Sequence, residues 1–175
     1  MRKKIWRAGA ALLLCGCVRV PEPLKQTFTL ELGADVYGNP RLYVEDKEAD
    51  LSEIDVVVHT PGVTKKNNRF VTTGSDFLAV GEYDFALAHN NTQVPFKVKI
   101  KDTLAPVPTK NVDRLEVAMG APLNWAEIFE ATDLSGVYYE GPEAANFDRG
   151  ETPVKVRIYD RFGNSVYKDV VIEVS

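Results

Sequence analysis

The sequence predicts an all-β protein built from two small antiparallel β-sandwiches in tandem, and three observations predict it. Short runs of alternating apolar and polar residues recur from residue 27 to residue 175, turn residues separate them, and no long helical period interrupts the series. Strands that follow one another without crossover helices favour antiparallel packing over a parallel sheet. The stretch KDTLAPVPTK, residues 101 to 110, carries two prolines and no strand pattern, so it divides the series into units at 27–101 and 102–175.

The first element is not part of either unit. Arg2, Lys3, Lys4 and Arg7 precede an apolar run from Ala8 to Cys17 that ends in small residues, the layout of a secretory signal. Even Ala8 to Val20 supplies 13 residues, short of the ~20 that a membrane-spanning helix needs. Cys15 and Cys17 are the only cysteines. A redox or metal pair needs a folded scaffold that presents both thiols, and no fold pattern surrounds them. Leu14-Cys15-Gly16-Cys17 instead resembles the bacterial lipobox, with Leu14 three positions before Cys17 and Gly16 just before it. The resemblance implies that residues 1–16 are a lipoprotein signal peptide, that cleavage leaves Cys17 first, and that its thiol carries a diacylglycerol. Two or three acyl chains anchor a protein stably. No disulfide is then available.

Loss of the four basic residues takes the formal net charge from −4 to −8, which argues against nucleic acid as a partner and against electrostatic docking on anionic lipid. The expected membrane contact is the lipid alone. From Cys17 to Gln26, prolines at 21 and 23 and the absence of an apolar period predict an extended tether.

Phe28, Leu30 and Leu32 alternate with polar residues as in a half-buried strand, and Gly38-Asn39-Pro40 makes a turn. Further strands are expected at Arg41–Val44, Ile54–His59, Arg69–Thr72 and Tyr83–Ala88, with TKKNNR at 64–69 a solvated loop. Asn90-Asn91 gives a tight turn before the alternation of Val94, Phe96, Val98 and Ile100. In the second unit, Leu115–Ala118 reads as a strand and Gly120-Ala121-Pro122 as a turn. Trp125, Ile128 and Phe129 have helical spacing, and strands follow near Ala131 and at Val137–Glu140. Val154, Val156 and Ile158, then Val170, Ile172 and Val174, close the series. The halves also repeat: GEYDFALAHNN from Gly81 and GETPVKVRIYD from Gly150 both run from Gly-Glu through an alternating strand to a turn, aligning Phe85 with Val154 and Leu87 with Val156.

The second half resembles the bacterial immunoglobulin-like modules strung along cell-surface proteins. It carries Asp102-Thr103-Leu104-Ala105-Pro106, then Ala131-Thr132-Asp133-Leu134-Ser135-Gly136, then Asp160-Arg161-Phe162-Gly163-Asn164, in the order those modules show. The first half shares only the closing hairpin. The resemblance implies two immunoglobulin-like sandwiches in a lipid-anchored, extracytoplasmic protein of the bacterial envelope, acting as a binding, adhesion or spacer module.

Chemistry is sparse. His59 and His89 stand alone, and no zinc motif, nucleophile elbow, P-loop or dinucleotide fingerprint occurs, so no enzyme is expected. In a sandwich of this type the linker and the loops at 133 and 160 lie towards one pole, which would let Asp102, Asp133 and Asp160 converge on a calcium ion. Turn capping is the ordinary role of the same aspartates. Tyr138 and Tyr139 are adjacent, so one must face outward on a strand. With Trp125 nearby, Tyr138 and Trp125 form a possible surface for a glycan in an envelope or uptake system, although the spacing of Trp125, Ile128 and Phe129 also fits a helix face packed on the core. The partner, protein or glycan, is not specified by the residues.

Overall fold

A computed structural model describes residues 19–175. The signal segment and Cys17 lie outside the described residues. The strands are β1 (Thr27–Glu31), β2 (Val36–Tyr37), β3 (Asp55–Val58), β4 (Val63–Lys66), β5 (Arg69–Thr72), β6 (Gly81–His89), β7 (Thr92–Lys101), β8 (Arg114–Val117), β9 (Tyr138–Glu140), β10 (Gly150–Tyr159) and β11 (Ser165–Val174). One short helix, α1 (Trp125–Phe129), lies between β8 and β9.

Both halves use one topology. The first sheet has the order β1-β7-β6-β3 and the second β8-β11-β10-β9. In each, the opening strand pairs in parallel with the last, the last two strands form a long hairpin, and an edge strand adds antiparallel to the hairpin. The repeat read from Gly81 and Gly150 is this hairpin. Phe85 sits opposite Phe96 and Val154 opposite Val170, each four residues into its strand and each buried. The facing layer differs between the halves. The first has a three-stranded sheet, β2-β5-β4. The second has α1 and two isolated bridges, Val107 with Thr132 and Pro122 with Ala144.

Burial follows the alternation. Phe85, Leu87, Val98, Val156, Ile158 and Ile172 have no exposed surface, and their neighbours along each strand lie on the opposite face, as a period of two requires; of these Ala86, between Phe85 and Leu87, is also covered at 1% exposed. The buried residues fall into two clusters, one from Val20 to Ile100 and one from Leu123 to Val174. Phe85 lies edge-on to Phe70 at 4.9 Å and roughly parallel to Phe96 at 5.7 Å between ring centroids. Tyr43 and Phe28 complete that aromatic group, and burial pushes the Tyr43 hydroxyl up to about 12.

Four local expectations are corrected, the first being the strand near Ala131, which is only the isolated bridge of Thr132 with Val107. Arg41–Val44 is no strand: Pro40–Leu42 makes a 3-10 turn, with the Asn39 side chain accepting from the Arg41 N–H and Pro40 in the first turn, where its missing N–H costs nothing. TKKNNR is solvated as expected but is no loop: it is the tip of the β4–β5 hairpin, with Asn67 (φ 48°) and Asn68 (φ 61°) as its two turn residues; positive φ at both is the primed turn that matches strand twist. The proline segment after Arg19 is not free either. Val20 and Pro23 are buried, the Leu24 N–H donates to the Tyr43 carbonyl at 2.7 Å, and the Lys97 N–H donates to the Gln26 carbonyl at 2.8 Å. Its prolines fix an extended path, but Val20 has apolar surface to bury and the first cluster receives it.

Candidate functional site at the junction

The strand directions define the junction. β1 and β7 both run into it, ending at Glu31 and Lys101, while β11 starts beside it and β8 and β11 run away together. Chain continuity is reinforced by side chains from both halves. The Thr103 N–H and hydroxyl donate to the two carboxylate oxygens of Glu31 at 2.6 and 2.8 Å. Those bonds hold the Glu31 carboxyl below the ordinary glutamate range. The Leu32 N–H donates to the Lys101 carbonyl at 2.7 Å, and the Asn164 side-chain amide donates to the Asp102 carbonyl at 3.1 Å. Leu134 lies over Gly33, where a β-carbon would stand 2.5 Å from its Cδ1.

The three aspartates meet in this place. Each of Asp102, Asp133 and Asp160 offers a carboxylate oxygen, and the three oxygens lie within 4.8 Å of one another. Each is delivered by a different piece of chain: the linker, the loop before β9, and the β10–β11 turn. Asp160 is 1% exposed. Its Oδ1 accepts from the Phe162 and Asn164 N–H groups and its Oδ2 from the Asn164 amide. Asp133 Oδ1 accepts from the Ser135 N–H and hydroxyl, both at 2.7 Å. Two of the aspartates therefore cap turns and present carboxylates to a common point at the same time. Asp102 Oδ2 is different, because it is buried and has no hydrogen-bond donor. Among the described residues no Lys, Arg or His pairs with any of the three. An unpartnered buried carboxylate oxygen beside two more is costly without a cation, and an all-oxygen donor set from separate loops suits calcium.

The other expected site residues do not join. Trp125 is 5% exposed, stacked on Phe129, with its indole N–H donating to the Pro142 carbonyl at 2.8 Å. The expected glycan surface therefore loses Trp125 to the core, as its helical spacing with Phe129 allows. Tyr138 remains 45% exposed. It stacks on Tyr159 at 5.6 Å, a residue that the chain pattern did not single out, because the pairing depends on the β9–β10 register. His59 and His89 are not in a ligand group: the His59 N–H donates to the Asp84 carbonyl, and His89 Nδ1 meets the Glu53 carbonyl at 3.0 Å. No helix among the described residues is long and apolar enough to cross a membrane.

No family model and no curated protein sequence matches the chain. Among solved structures it is similar to a two-domain fragment of human mucin-like protocadherin, at 12% identity and a TM-score of 0.34, covering 88% of this chain and 97% of that one. Chicken VE-cadherin domains 1–2 match at 12% identity and 0.31, covering 87% and 98%. The I67–I69 fragment of titin matches at 14% and 0.36, covering 90% and 65%. The functional reading rests on this chain's own residues.

Proposed function

We propose that the protein is a lipid-anchored, extracytoplasmic spacer and binding module of the bacterial envelope, with a calcium-stiffened junction between its two immunoglobulin-like units. The junction is the observation that carries the reading. A linker hydrogen-bonded to Glu31 and Asn164, with β1 and β7 entering and β8 and β11 leaving, supports two units set end to end. Asp102, Asp133 and Asp160 are the residues that would hold the ion, and the ion would supply the positive charge that the orphan oxygen of Asp102 lacks. Basic residues 2 to 7, the apolar run and Leu14-Cys15-Gly16-Cys17 support the anchor. Because Val20 packs on the first unit, two residues separate it from Cys17. Clearance from the membrane then comes from the first unit rather than from a stalk. In this reading the protein is a structural and binding component with no catalysis of its own.

The anchor is tested by expressing the full chain in a bacterium and following detergent-phase partitioning and the mass of the amino terminus. Wild type is expected in the detergent phase with an acylated Cys17, and Cys17→Ala in the aqueous phase. An unacylated amino terminus in wild type refutes the anchor.

A further inference from the structure

The outward face of the second sheet carries a feature that the junction does not use. Period-two alternation places Lys155, Arg157 and Tyr159 of β10 outside, with Tyr138 and Glu140 of β9 on one side and Tyr167 and Asp169 of β11 on the other. Tyr138 stacks on Tyr159 across the β9–β10 pair. The Arg157 guanidinium lies over the Tyr159 ring at 4.6 Å, and the Lys155 ammonium stands 5.9 Å from the Tyr167 ring. Tyr167 is directly opposite Arg157, so three rings and two cations share one patch, the Tyr138–Tyr159 pair on β9 and β10 and Tyr167 one row further along on β11. Tyr138 and Tyr167 keep 45% and 57% of their surface in solvent. Exposed aromatic surface held in one patch on a rigid sheet is unusual for residues that a core would otherwise take, and it marks a contact surface.

Charge decides what kind of partner fits. Each cation of the patch has its own carboxylate: Arg157 with Glu140 at 3.4 Å and Lys155 with Asp169 at 3.9 Å. The tyrosine patch is therefore balanced although the chain is acidic and although, further along the sheet, Glu151 and Glu173 share the one cation Arg114, so neither a polyanion nor a polycation gains net attraction at the patch. An uncharged polymer with apolar faces and many hydroxyl groups gains ring stacking together with donors and acceptors side by side. We infer that this face, through Tyr138, Tyr159 and Tyr167, binds a neutral polysaccharide chain laid across the β9–β10–β11 strands.

The test is affinity electrophoresis of the chain in native gels containing soluble β-glucan, xylan or mannan, with the polyuronate alginate as an anionic comparison. Retardation by at least one neutral polymer and not by alginate is expected. Tyr138→Ala or Tyr167→Ala should weaken it about three- to tenfold, the loss of one stacked ring, while Tyr138→Phe and Tyr167→Phe retain it. Melting midpoints should stay unchanged in all four variants, separating loss of surface from loss of fold. Retardation by none of the neutral polymers, stronger retardation by alginate, or indifference to both alanine variants overturns the inference. None of these outcomes bears on the calcium junction, which is read without any glycan.

Discussion

Phe85 touches Phe70 and Phe96 and has no exposed surface, so truncation leaves a void that the two sheets of the first unit cannot close. Phe85→Ala should cost about 3–5 kcal/mol in urea unfolding. Glu31 is a different kind of residue, half-buried and strongest as a partner while ionised. Its folded-state pKa is lowered by the Thr103 N–H and hydroxyl, so its contribution is complete above the ordinary glutamate range and is lost as pH falls through the lowered value. The protection of the Thr103 amide, relative to its intrinsic exchange rate at each pH, should therefore fall as acid titrates Glu31, and in Glu31→Gln it should be lower already at neutral pH. Acid-insensitive protection of Thr103 in wild type contradicts this assignment. At this scale the sequence was only partly legible. The burial of Trp125 could be read from its spacing to Phe129, and the aspartates from the common pole of their loops. Glu31 and Thr103 are 72 positions apart in the chain, and nothing local announces that bond.

At the scale of elements, the two long hairpins were the clearest signals, with the Asn90-Asn91 turn where it was expected, and the short β4–β5 hairpin was the least legible. β6–β7 and β10–β11 alternate over nine or ten residues each, long enough for the period to dominate. β4 has four residues, of which Thr64, Lys65 and Lys66 are exposed, so no apolar face revealed it; the Asn67-Asn68 pair was the available clue. Asn68→Val puts a β-branched residue at positive φ and should lower the midpoint by the equivalent of about 1–2 kcal/mol, whereas Asn68→Gly should leave it unchanged or raise it. α1 is one turn that exists to bury Trp125 and Phe129. Trp125→Ala should destabilise by about 3–5 kcal/mol without the selective loss of glycan retardation expected for Tyr138→Ala.

For the whole molecule, two cores without a disulfide among the described residues are joined by a junction whose three carboxylates have no basic partner among those residues. Tandem architecture was legible because the break at 101–110 is compositional, while the docking of Val20 on the first unit was not, since prolines signal an extended path but not what lies beside it. The most direct measurement is the thermal midpoint of the chain in calcium and in chelator, for wild type and Asp102→Asn. A cation bound at a hundredfold excess over its dissociation constant adds about 2.7 kcal/mol, so calcium should raise the wild-type midpoint by several degrees and leave Asp102→Asn almost unmoved. An identical wild-type midpoint in calcium and chelator would contradict the calcium-stiffened junction.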